Sequence, residues 1–97
     1  MTVYRTRRGI VLTEICGEYV LISAKALRGI CPYLTQLNES SAFIWKSLAD
    51  GATLEELVSA VEDEFETEGA VETKEVIGNL IRDMLEMNYL ESMEVGE

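Results

Sequence analysis

The sequence predicts an α+β domain: a three-stranded antiparallel sheet followed by three helices, in the order β-β-β-α-α-α. Three observations carry this. Up to residue 38 the apolar segments are short and rich in β-branched and aromatic residues, with Gly and Pro between them. From residue 39 the apolar residues recur at helical spacing. A run of strands followed by a run of helices places the helices on one side of a small sheet.

The first two strands are "IVLTEI" at 10–15 and "EYVLISA" at 18–24. "CG" between them fits a two-residue hairpin turn, because Gly17 supplies the positive φ such a turn needs. "KALRGI" reads as a polar connection, and "CPYLTQLN" at 31–38 as the third strand. Pro32 has no N–H to give a ladder, so this strand should begin at a sheet edge. Asn38 or Ser40 can cap the first helix, which carries Phe43, Ile44, Trp45 and Leu48 and stops at "DG". Thr53 and Glu56 form a capping box for the second helix, whose apolar positions are Leu54, Leu57, Val58, Val61 and Phe65. A third helix, capped near Thr73, carries an apolar arc from Val76 to Met87 that spans about half its circumference. That arc is wider than one packed face requires, so one edge should meet something other than the core. Residues 89–95, "YLESMEV", fit either a short final strand or an apolar tail.

At 97 residues the chain makes one domain, 1–97, with one modest core. Its 47% hydrophobic content and single Pro fit a folded chain. No apolar run is long enough to cross a bilayer. Thr13 and Glu14 interrupt the apolar stretch near the start, which does not fit a signal peptide; a cytoplasmic location is expected. The two cysteines, Cys16 and Cys31, lack metal spacing and read as small buried or half-buried apolar side chains.

Catalytic chemistry has little to stand on. There is no His, which removes the commonest general base and metal ligand. No Gly-rich phosphate loop, zinc pattern or nucleophile elbow occurs. The acidic run of Glu62, Asp63, Glu64, Glu66 and Glu68 lacks the spaced ligands and central Gly of a calcium loop, and reads as a solvated helix face. No enzyme activity, metal or other cofactor is expected.

Two helices joined by a tight corner, as in "LNESSAFIWKSLADGATLEELVSAV", is a shape DNA-binding proteins use. The charges oppose that use. The net charge is −10, with most acids after Asp50 and most cations in the first half. A recognition helix needs Arg, Lys, Asn or Gln on its outer face. The third helix sets Lys74, Asn79 and Arg82 against Glu75, Asp83 and Glu86. An open strand edge can instead accept an extended peptide as an added strand.

The stretch "YLTQLNESSAFIWKSLADGATLEELVSAVEDEFE" resembles the PqqD-like proteins, also called RiPP recognition elements. The resemblance rests on Leu37-Asn38, Ser41-Ala42, Ile44-Trp45, Leu48, Gly51, Thr53, Glu56-Leu57 and Phe65, in order. "VIGNLIRDMLEMNYLE" is similar to the family's last helix, with Asn88 where a Gly is usual; Asn also tolerates positive φ. The resemblance covers about residues 30–95.

It implies a winged-helix-like fold and a task without catalysis. Such a domain binds the leader segment of a ribosomally made precursor peptide and presents the core segment to a modifying enzyme, often a radical-SAM protein. Carried onto this sequence, one groove wall would be Tyr33, Leu34, Thr35, Gln36 and Leu37, and the other Val76, Leu80, Arg82, Asp83 and Met87. Lys25, Arg28 and Arg82 would meet acidic leader residues. Trp45, Phe43 and Leu57 would be packing that sets the third strand beside the last helix. Two alternatives stay open: a winged-helix DNA-binding regulator, and a structural subunit of an enzyme complex. Partners expected are a precursor peptide and a modifying enzyme, with neither nucleic acid nor membrane; an exposed edge can also support a homodimer.

Overall fold

The computed structural model describes residues 1–65 and 69–96. Among the described residues there are five strands: β1 (Thr2–Thr6), β2 (Ile10–Ile15), β3 (Glu18–Ser23), β4 (Leu34–Leu37) and β5 (Leu90–Glu94). The helices are α1 (Glu39–Ser47), α2 (Leu54–Glu64) and α3 (Ala70–Glu86), and a single 3-10 turn, Lys25–Leu27, lies between β3 and β4.

The expected three-stranded antiparallel sheet is β2-β3-β4, with β3 in the middle. Its hairpin turns at Cys16 and Gly17, both with positive φ, at 52° and 80°. That matches the twist of a two-residue hairpin and leaves Cys16 exposed rather than buried as expected. β4 is shorter than the expected 31–38. Tyr33 still accepts a backbone hydrogen bond from Ser23, but Pro32 has no N–H to give and its carbonyl is taken by the Ser23 hydroxyl.

The sequence reading missed a second sheet. β1 pairs antiparallel with β5, from Thr2 opposite Glu94 to Thr6 opposite Leu90. Residues 90–94 are therefore a strand and not a tail. The ribbon is bolted to the α1–α2 corner through Tyr4 and Ala52, which exchange backbone hydrogen bonds of 2.8 and 2.9 Å. Gly51 sits at φ +93 in that corner, where an added Cβ would stand 3.1 Å from the Val3 side chain. Both the backbone angle and the close strand call for Gly.

Helix starts follow local chemistry. The Asn38 side chain accepts the Ser41 N–H at 2.8 Å. Thr53 and Glu56 complete the predicted capping box, with bonds of 3.2 and 2.9 Å. α3 starts earlier than expected: its N-cap is Gly69, and Thr73 is one turn inside, its hydroxyl donating to the Gly69 carbonyl.

The core joins both sheets to the helices. Leu21, Trp45, Leu48, Leu57, Ile77, Ile81, Met84 and Tyr89 form one buried cluster. Each large side chain buried there contributes about 1.5–3 kcal/mol of transfer free energy. Trp45 and Tyr89 meet edge to face, 6.1 Å between centroids. Among the described residues no buried side-chain polar atom lacks a hydrogen-bond partner.

Candidate functional site

β4 is an edge strand, and its hydrogen-bond phase is fixed. The Ser23 N–H donates to the Tyr33 carbonyl at 2.8 Å. Antiparallel alternation then turns the peptide groups of Tyr33, Thr35 and Leu37 toward β3. Those of Leu34 and Gln36 point away from the sheet, and among the described residues no strand lies on that side. Side chains alternate in the other sense. Thr35 and Leu37 turn toward the helices, where Thr35 hydrogen-bonds the Tyr89 hydroxyl and Leu37 packs on the core. Leu34 and Gln36 stand on the outer face, Leu34 paired with Ile22 and Ile22 in turn with Val11.

α3 runs alongside this edge in the opposite direction. Depressions at the two ends establish the alignment. One is walled by Ile30, Cys31 and Pro32, just before β4, and by Glu86 and Met87 at the end of α3. The other, of about 360 Å³, is walled by Ser40 and Ile44, just after β4, and by Thr73 and Val76 near the start of α3. Four residues of β4 span about 13 Å, and Val76 to Met87 spans about 17 Å of helix. The lengths match.

The helical wheel sorts α3. At about 100° per residue, Val76, Leu80, Asp83 and Met87 fall within about 60° of one another. The buried residues Ile77, Ile81 and Met84 lie to one side of them. Val76 is 66% exposed, and Leu80 and Met87 are half-buried. The wide apolar arc thus divides into a core stripe and a second stripe beside β4. On the other flank, Lys74 pairs with Glu55 of α2 at 3.9 Å.

The two depressions join Met87 to the segment before β4 and Val76 to the segment after it, and Leu80 and Asp83 share the helix face of those two residues; Tyr33 lines a separate cavity at the start of β4. Arg82 is not on that face: it lies about 120° round the helix from Val76, on the exposed side. Lys25 and Arg28 stand at the start of β4. They line a cavity of about 470 Å³ with Ile22, Leu27, Cys31 and Tyr33. Tyr33, 69% exposed, and Leu34, 55% exposed, are large apolar groups left at the surface.

A sequence profile decides the family. That of coenzyme PQQ synthesis protein D (PqqD) matches residues 18–88, which run from β3 through the last turn of α3 and enclose the whole groove. The chain belongs to the PqqD family. Two solved structures share this PqqD fold. TbiB1, in complex with the TbiA(beta) leader peptide, is 19% identical, with a TM-score of 0.72 over 96% of this chain and 99% of that one. A lasso peptide synthetase B1 complexed with the leader peptide is 22% identical, with a TM-score of 0.68 over 94% and 98%. No curated protein matches the chain.

Sequence reasoning missed the groove's fastening. Asn88 takes positive φ, at 63°, as its place in the PqqD pattern implied. Its side chain also donates to the Ile30 carbonyl at 2.7 Å, and its own carbonyl accepts from Arg7 Nε at 2.7 Å. The Tyr89 hydroxyl donates to the Pro32 carbonyl at 3.2 Å besides meeting Thr35. These bonds hold both ends of the 30–35 segment to the end of α3. Only the positive-φ requirement at Asn88 was visible beforehand.

No group of three metal-ligating side chains occurs among the described residues. Glu62, Asp63 and Glu64 of the acidic run are exposed; Glu66 and Glu68 lie outside the described residues. No described helix is long and apolar enough to cross a membrane.

Proposed function

We infer that this chain is a non-catalytic recognition domain that binds the leader segment of a ribosomally made precursor peptide and presents it to a modifying enzyme. The observation that carries the reading is the open edge of β4, where Leu34 and Gln36 offer unpaired N–H and C=O groups opposite the second stripe of α3. An extended peptide completes that edge as a fourth strand. Its inward side chains lie against Val76, Leu80 and Met87; its outward ones continue the row of Val11, Ile22 and Leu34. Lys25 and Arg28 meet acidic residues at the Tyr33 end. Family membership and two solved relatives bound to leader peptides support this.

The partner enzyme is of a class that modifies precursor peptides, with radical-SAM chemistry the first to test. Holding peptide and enzyme on one small domain raises the effective concentration of substrate at the active site. A DNA-reading role gains nothing from the groove, since Lys74 is tied to Glu55 and Arg82 stands among Glu75, Asp83 and Glu86.

The experiment is a titration by calorimetry. The ligands are a synthetic leader taken from a short precursor encoded beside this chain's gene and, separately, duplex DNA across a salt series. Saturable leader binding in the micromolar range is expected. Absence of leader binding together with salt-sensitive DNA binding overturns the reading.

A further inference from the structure

An incoming strand can pair with β4 in either direction, because parallel and antiparallel partners both satisfy the outward groups of Leu34 and Gln36. The charges at the two ends of the edge are opposite in sign. At the Tyr33 end, Lys25 and Arg28 rim the cavity beside the 3-10 turn. Leu27 of that turn also walls a second depression of about 670 Å³, which carries Arg5, Arg7 and Arg8. Arg7 is held there through Asn88 to the backbone of Ile30. Five of the chain's eight cations therefore cluster at one end of the groove. The acids among them are Asp50, Glu86 near Met87, and Glu91, which pairs with Arg5 at 3.5 Å.

The other end is acidic. Beyond Leu37, Glu18 and Glu39 line a depression with Tyr19, Gln36 and Asn38. Glu72 lines the one between α1 and α3. The cation nearby, Lys46, is engaged over the Tyr19 ring at 5.5 Å.

We propose that this polarity sets the direction and register of the bound peptide. An acidic flank lies along Lys25, Arg28 and the Arg5–Arg8 segment, and a neutral or basic flank lies beside Glu18 and Glu39. The proposal rests on the peptide-binding reading above. Single exposed ion pairs contribute little. A flank already tethered by the paired strand meets them at high effective concentration, however, and reversing the peptide sets like charges together at both ends. In a chain of net charge −10, a five-cation cluster runs against the overall field and favours an anionic ligand at that place alone.

The test uses the full chain and the same synthetic leader, spin-labelled at one end or the other, with amide resonances as the readout. A label on the acidic flank should broaden Arg8, Lys25 and Arg28; a label on the other flank should broaden Glu18 and Glu39. Arg8 and Arg28 are exposed, so an Arg8→Glu, Arg28→Glu variant is expected to fold, as circular dichroism will check. At low salt it should bind about threefold to tenfold more weakly, and high salt should erase the difference. Replacing the leader's acidic residues by Lys should restore binding to the variant. Identical broadening from both labels overturns the proposal, as does a leader with no acidic flank. So does unchanged leader affinity in a variant that loses its modifying enzyme, which would assign the basic end to that enzyme. Binding that depends on the β4 edge but ignores charge sinks the orientation alone; no binding at all sinks the peptide-capture reading with it.

Discussion

The Tyr89 hydroxyl hydrogen-bonds the Thr35 hydroxyl across 54 positions of sequence. Thr35 is on the edge strand, and Tyr89 is fully buried just after α3, so this bond joins the two walls of the groove. Tyr89→Phe keeps the ring against Trp45 but leaves the Thr35 hydroxyl without this partner, while the Pro32 carbonyl keeps only the Ser23 hydroxyl. It should cost about 1–3 kcal/mol, measured by chemical denaturation. Leader affinity should fall with it, because the edge loses its tie to α3. An unchanged midpoint would show that water replaces the hydroxyl without loss.

Proline separates the outward and inward positions of β4. Gln36 donates nothing to β3, so Gln36→Pro should leave the domain folded while removing a hydrogen bond that an added strand needs. Thr35 donates to the ladder with β3, so Thr35→Pro should destabilise by about 3 kcal/mol. Circular dichroism melts of both variants, followed by leader titration of Gln36→Pro, check this. Full leader affinity in Gln36→Pro would refute strand addition at this edge.

Asn88 tests a backbone requirement apart from a side-chain one. Asn88→Gly keeps the positive φ and loses the bond to Ile30; Asn88→Ala loses both. Asn88→Gly should cost about 1 kcal/mol, and Asn88→Ala about a further 1 kcal/mol. Equal denaturation midpoints for the two would remove the backbone argument.

The helix corner is scaffold. Trp45→Ala empties a buried site at the centre of the core and should cost about 3–5 kcal/mol. For a small domain that is a large part of the total, and a broad, low-temperature melt is expected. A sharp melt near that of the parent would mean the core repacks.

Much of this was legible in sequence because it is local chemistry. The Cys16–Gly17 turn, the Asn38 cap, the Thr53–Glu56 box and the stop at Gly51 each involve residues within a few positions of one another. What escaped was non-local. β1 finds its partner at Leu90–Glu94, and nothing in either segment names the other. The groove was half legible: its residues followed from the family resemblance and the wide arc of α3, but that arc gives no handedness. Arg82 was placed on the groove wall by the family resemblance; the helical angle sends it to the far side. Arg5, Arg7 and Arg8 were visible as a basic run, yet only folding sets them beside the start of β4.

The most direct measurement is hydrogen exchange at the individual amides of Leu34 and Gln36, with and without leader peptide. In the free protein both N–H groups face outward and should exchange quickly. Strand addition predicts strong protection of both on binding, while the inward amides of Thr35 and Leu37 change little. Leader binding that leaves Leu34 and Gln36 unprotected would contradict it.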